Sequence, residues 1–175
     1  MVAIMILISG CGKTASQKLG EKMTERSLEK TIEKQSGGKA DIDINGGNST
    51  ITTDQGTIST SQTGQAKLPD DFSKDIFVYD DAKIAYSSSY AGPPKMISVN
   101  YYTSSEPEQV FEKYKTMMEK DNWTKTDEVN MGSQNLMLLN YQKNNDERIV
   151  MISIAVETNA PETRKTIVGI NETIK

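Results

Sequence analysis

The chain contains no histidine and a single cysteine, Cys11, among its 175 residues. Without histidine, Ser-His-Asp and Cys-His catalysis and His-ligated metal centres are excluded. One cysteine permits no disulfide within the chain and no multi-cysteine metal or iron–sulfur site. Apolar side chains are also scarce: hydrophobic residues make up 35% of the chain and aromatic residues 6%, a low share for a globular protein. The deficit is local. Residues 34–75 carry few large apolar side chains, whereas residues 76–170 are rich in Ile, Val, Met and Tyr. One core is therefore expected, in the C-terminal half. Clustered positive charge is missing too, the net charge being −4, so no nucleic-acid partner is expected.

A lone cysteine in a secreted chain needs a reason, and its position supplies one. Residues 2–8 form the apolar run Val-Ala-Ile-Met-Ile-Leu-Ile, too short for a bilayer, which takes about 20 apolar residues. Such a run suits the core of a signal peptide followed by small residues. The polar residues 12–17 offer it no continuation, which argues against a core strand ending in a buried cysteine. Ile8-Ser9-Gly10-Cys11 resembles the lipobox of bacterial lipoproteins: an aliphatic residue, two small ones, then the acceptor cysteine. The resemblance implies that residues 1–10 are a signal peptide and that Cys11 is the lipid attachment site, diacylated and carrying acyl chains such as palmitate. The mature chain would then face away from the cytoplasm in the cell envelope, anchored to the plasma or outer membrane, since two or three acyl chains hold stably.

Residues 11–38 are expected to form a lipid-anchored helical spacer, with a helix over 15–35 ended by Gly37-Gly38. Its charges recur every four residues. Lys18, Lys22, Arg26, Lys30 and Lys34 form one ridge, and Glu21, Glu25, Glu29 and Glu33 the ridge beside it. The acidic ridge nearly cancels the basic one, which favours a solvated stalk over a helix lying on anionic lipid. Residues 39–67 read as a small β-meander and linker: strands over 40–44, 50–53 and 57–60, separated by Asn-Gly and Gln-Gly turns. With few large apolar residues the meander cannot stand alone. Asp41-Ile42-Asp43-Ile44-Asn45-Gly46 matches the opening of a calcium loop, making Asp41, Asp43 and Asn45 a weak calcium candidate. The match fails at Asn48 and Thr52, where an aliphatic residue and a bidentate Glu belong. The same alternation also describes a half-buried strand entering a turn, and no metal is expected.

Residues 68–175 are expected to form an α+β domain, one helix packed on an antiparallel sheet. Strands are read over 82–89 and 95–103, around Gly92-Pro93-Pro94. Ser105-x-x-Glu108 reads as a capping box opening a helix, with Pro107 in its first turn. Val110, Phe111, Tyr114, Met117 and Met118 make its apolar face. Further strands follow over 123–129, 135–143, 148–157 and 165–171. The segment Leu68-Pro69 to Tyr79, the helix and the Asn122-Trp123 step resemble a class of envelope lipoprotein domains. Its members carry Leu-Pro, then a Phe-Pro-x-Asp stretch, a strand and a helix ending in Gly-Trp. Here Ser73, Phe77 and Asp80 replace prolines and Asn122 replaces the glycine; the resemblance implies no activity.

The acidic set Asp70, Asp71, Asp75, Asp80 and Asp81 reads as solvated surface more readily than as a cation site, for want of an organising glycine turn. Tyr86, Tyr90, Tyr101, Tyr102, Tyr114 and Tyr141 read as cross-strand packing before a glycan-binding face. Met117, Met118, Met131, Met137 and Met151 read as gap-filling core. No catalytic constellation and no cofactor motif emerges. The expected role is a non-catalytic, protein-binding or structural module of the envelope, docking a protein partner through an exposed sheet edge. A lipid- or glycan-binding carrier, with a pocket of Met and Tyr between helix and sheet, is the second reading. A hydrolase with paired carboxylates is the third.

Overall fold

A computed structural model describes residues 15–36, 38–131, 136–145, 147–157 and 165–175. Cys11 and the lipobox lie outside the described residues. In chain order the elements are α1 (Ala15–Ser36), β1 (Ala40–Asn45), β2 (Asn48–Thr53), β3 (Gly56–Ser61), β4 (Lys83–Tyr90), β5 (Lys95–Thr103), α2 (Pro107–Lys120), β6 (Thr124–Met131), β7 (Leu136–Lys143), β8 (Arg148–Val156) and β9 (Thr166–Ile174). All nine strands join one antiparallel sheet in the order β1-β2-β3-β4-β5-β9-β8-β7-β6.

The first three strands are joined by two-residue turns, and Gly46 and Gly47 supply the positive φ angles the first turn requires. This meander is continuous with the rest, because β3 pairs with β4 from Gly56↔Tyr90 to Thr60↔Tyr86. Gly56 is needed where it stands: at φ +148 a Cβ would lie 1.9 Å from the Ser89 carbonyl oxygen.

The core fills one face of β5, β9, β8 and β7. Ile97, Val99, Tyr101, Val168, Ile170, Val150, Ile152, Ile154, Met137, Leu139 and Tyr141 alternate inward, and Val110, Phe111, Tyr114 and Met118 of α2 share their cluster. Each such side chain contributes about 1.5–3 kcal/mol by leaving water. Segment 68–82 packs on the same cluster through Leu68, Phe72, Ile76 and Phe77. Hydrogen bonds fix it there. Tyr114 donates its hydroxyl to the Phe77 carbonyl at 2.9 Å, so the 2.8 Å contact with Tyr101 must be donated by Tyr101. Trp123 Nε1 donates to the Asp75 carbonyl at 3.0 Å.

Both ends of α2 differ from a simple capping reading. The N-cap is Glu106, without a side-chain cap bond, and Pro107 starts the helix. Ser105 therefore closes no capping box; its carbonyl accepts Thr166 Oγ1 at 2.6 Å instead. Proline at the first helical position, which lacks only an N–H that would be unpaired anyway, takes over the start signal. At the other end Asn122 has φ 61. Its N–H bonds the Glu119 carbonyl while that of Trp123 bonds Met118, the two bonds of a Schellman cap. Asparagine tolerates this left-handed conformation, so Asn-Trp does the work of Gly-Trp.

α1 is not a free stalk over its second half. The carboxylates of Glu25, Glu29 and Glu33 accept the backbone N–H groups of Ile44, Ile42 and Ala40 at 2.8, 3.2 and 3.4 Å. Four helical residues rise about 6.0 Å and two strand residues about 6.6 Å, so the acidic ridge stays in step with the outward-facing donors of the edge strand. The basic ridge, Lys22, Arg26, Lys30 and Lys34, is exposed.

Candidate functional site

On the face that carries α2, the sheet changes chemistry from its centre outward. The register sets Val99, Ser87, Ser59, Thr50 and Asp43 in one cross-strand row, and Ile97, Ser89, Thr57, Thr52 and Asp41 in the next. Each row runs from apolar core through hydroxyls to a carboxylate on β1. Neighbouring hydroxyls lie close across the strands, Thr50 to Ser59 at 3.2 Å and Thr52 to Thr57 at 3.4 Å.

Segment 62–71 folds back over this floor and makes it a groove. Gln65 forms a parallel bridge with Ile84, and Ala66 N–H donates to the Ile84 carbonyl at 3.0 Å. Ser87 Oγ donates to the Lys67 carbonyl at 2.6 Å. Gly64 permits the close pass, since at φ +78 a Cβ would lie 2.6 Å from Lys83 Cβ. The resulting groove has a volume of about 880 Å³, with Asp41, Asp43, Thr50, Thr52, Ser59 and Asp70 among its lining. Asp71 at its inner end is paired with Lys95 at 2.8 Å and accepts Ser89 Oγ at 2.7 Å. Burial raises the Asp71 pKa, but these two partners outweigh it and hold the carboxyl below its ordinary range. Asp41, Asp43, Asp54 and Asp70 face Lys67 alone among lining cations, so the groove is acidic.

Asp41, Asp43 and Asn45, the calcium candidates, are exposed at alternate positions along β1. They stand in a row about 6.6 Å apart per step instead of converging as loop ligands do. Among the described residues no group of three His, Cys, Asp or Glu could hold a metal ion. The Asp-Ile alternation belongs to a strand whose Ile42 and Ile44 are buried on the other side.

The acidic set of segment 70–81 is dispersed. Asp81 accepts Thr103 Oγ1, Ser104 Oγ and Ser104 N–H at 2.7, 2.6 and 2.9 Å. Asp75 takes both Arg148 guanidinium nitrogens, at 2.9 and 2.8 Å, and Lys143 at 2.6 Å. Its pKa is brought down to about 2, by the Arg148 hydrogen bonds first. Arg148 also binds Glu172, which is buried and accepts Ser73 Oγ. This network straps segment 73–75 to β8 and β9, over the Trp123 ring; every member has a structural partner.

The pocket of Met and Tyr expected between helix and sheet is filled. Tyr101, Tyr114, Tyr141 and Met118 are fully inaccessible and Met137 nearly so. Burial pushes the Tyr141 hydroxyl up to about 12, the negative charge of Glu119 adding to it. The tyrosines are thus divided, with Tyr86, Tyr90 and Tyr102 on the opposite sheet face. The methionines divide too: Met131 and Met151 are 42% and 40% exposed instead of filling the core. At the sheet edges, where docking is expected, α1 carboxylates accept the N–H groups of Ile42 and Ile44 on β1, and β6 is bulged between Lys125 and Asp127 and carries charges, features that protect an edge.

Sequence signals for the groove were faint. Its hydroxyl rows lie on strands that the meander reading anticipates, but segment 62–71 reads as linker up to residue 67, and only its fold-back makes it a wall. A family model described as START domain-like matches residues 84–164, from β4 to just short of β9. No curated protein and no solved structure matches the chain.

Proposed function

We propose that this protein is a non-catalytic, lipid-anchored module of the bacterial envelope that binds a basic, extended segment of a protein partner in the acidic groove. The observation that carries the binding reading is the groove itself, about 880 Å³, floored by strand-borne hydroxyls and edged by Asp41, Asp43 and Asp70. A rigid sheet presenting carboxylates at fixed spacing suits a chain with cationic side chains, which gain both charge pairing and hydrogen bonds. The lipobox motif supports the anchor: Cys11 would stand only a few residues before α1, placing the overhanging first turns of the helix next to the bilayer.

The START domain-like match of residues 84–164 supports a ligand-binding role and keeps a lipid carrier as the second reading. With the helix–sheet interface filled, a ligand in this second reading would lie in the groove, whose polar lining suits a headgroup or glycan better than an acyl chain and of which the match covers Ser87, Ser89 and Ala91.

Titration of the full chain with a lysine-rich decapeptide tests the first reading. Binding should weaken with salt, and Asp41→Asn with Asp43→Asn should weaken it at least about tenfold, since charge-assisted contacts contribute about 1.5–3 kcal/mol each. Equal binding by wild type and the double variant would remove the groove from consideration. For the anchor, labelled palmitate should enter the wild-type chain and not Cys11→Ala.

A further inference from the structure

The two faces of the sheet differ in charge. Strand alternation and register place Asp41, Asp43, Lys95, Arg148 and Glu172 on the α2 face. On the opposite face, no position of β1, β2, β3, β5, β7, β8 or β9 holds Asp, Glu, Lys or Arg; only Lys83 at one end of β4 and Asp127 on the edge strand β6 are charged. In a chain whose residues are 25% charged, a water-facing sheet surface should carry its share. This one carries half-exposed apolar side chains instead: Tyr90, Met96, Ile149 and Met151 are 36–46% exposed. Depletion of charge with tyrosine and methionine present is the composition of an interface core.

The middle of this face is polar. Ser98 Oγ donates to Asn171 Oδ1 at 2.8 Å. Beside them Gly169 leaves room for its neighbours to lie down, since a Cβ there would be 2.6 Å from Ser153 Oγ and 3.0 Å from Asn100 Oδ1.

We propose that this uncharged face is the surface on which two copies of the chain pair, sheet against sheet. In a twofold contact, residues near the axis meet their own copies, so any charge there meets its like. Hydroxyl and amide groups, which both donate and accept, meet themselves without penalty. The face carries only what self-pairing tolerates. A membrane surface would call for basic side chains on the face, where Lys83 alone is basic, and a charged macromolecule for counter-charges, of which the face holds only Asp127. The extent is sufficient. Six strands at about 4.8 Å and seven residues at about 3.3 Å give about 29 by 23 Å, a flat footprint near the roughly 800 Å² per partner of a standard interface once side-chain relief is included. The groove lies on the other face and α1 packs only at the β1 margin of this one, so a pair would present two grooves to partners.

Sedimentation velocity of the full chain in density-matched detergent tests this. A dimer is expected at about 100 μM protein. Met151→Lys and Asn171→Lys should each raise the dissociation constant at least about tenfold, because like charges are then forced together. Both positions are partly exposed, so the thermal midpoint should stay within a few degrees. Glu108→Lys, on the exposed side of α2, should leave the dimer intact. A wild-type chain that sediments as a monomer would overturn the proposal. So would a dimer insensitive to both face substitutions, or a monomer that uses this face to bind neutral phosphatidylcholine vesicles.

Discussion

Replacing Arg148 by methionine removes the centre of the Asp75–Arg148–Glu172 charge network, in which the Glu172 side chain is fully buried. Arg148 gives Glu172 two hydrogen bonds, at 3.0 and 2.7 Å, and Asp75 two more. Asp75 keeps Lys143 at 2.6 Å, whereas Glu172, with a side chain 0% exposed, is left with Ser73 alone. Stripping one partner from a buried pair costs about 3–5 kcal/mol, chiefly through the stranded charge. For a domain of this size that lowers the thermal midpoint by about 6–20 °C. The added substitution Glu172→Leu removes the stranded carboxylate, so the double variant should recover at least about half of the loss. Urea unfolding of wild type, single and double variants provides the three free energies. An Arg148→Met loss below about 1 kcal/mol, or a double variant no more stable than the single, would refute the reasoning.

The same network predicts acid sensitivity. Asp75 is lowered from its ordinary 3.8 to about 2, so its stabilisation is complete above 3.8 and is lost as pH falls through about 2. With 28% of the side chain exposed, the loss should be about 1–2 kcal/mol, and Asp75→Asn should remove that part of the pH dependence of unfolding. On α1, Glu29→Gln keeps an acceptor for Ile42 N–H and should preserve its protection from hydrogen exchange, whereas Glu29→Lys should speed exchange there about tenfold. Equal exchange in both variants would detach the acidic ridge from the β1 edge. At the end of α2, Asn122→Gly should match or exceed wild-type stability and Asn122→Val should lose about 1–2 kcal/mol in chemical unfolding.

Most elements are legible because their signals are local. Alternation marks β1, β5 and β8, and the i, i+4 apolar face of Val110, Phe111, Tyr114 and Met118 marks α2. The α+β class and the antiparallel sheet follow from that order of elements. What is not local is not legible in the sequence. Glu25, Glu29 and Glu33 look like a solvated ridge until β1 is beside them, because their partners are backbone donors that no residue type advertises. Ser105 and Glu108 have capping-box spacing, yet Pro107 sets the start one residue later. The strands β2 and β3 are legible as a hairpin meander, but the place of their hydroxyls in the groove depends on segment 62–71, which reads as linker up to residue 67, crossing them. Met131 and Met151 read as core because the sequence displays apolar content and not facing.

In the proposed function, ligand lies in the groove and not beneath α2 or at a sheet edge. Amide chemical-shift mapping of the full chain, titrated with the lysine-rich peptide, addresses it most directly. Saturable shifts should centre on Thr50, Thr52, Thr57 and Ser59, leaving the amides of α2 and β6 unmoved. Shifts confined to α2 and β6, or none at all, would contradict it.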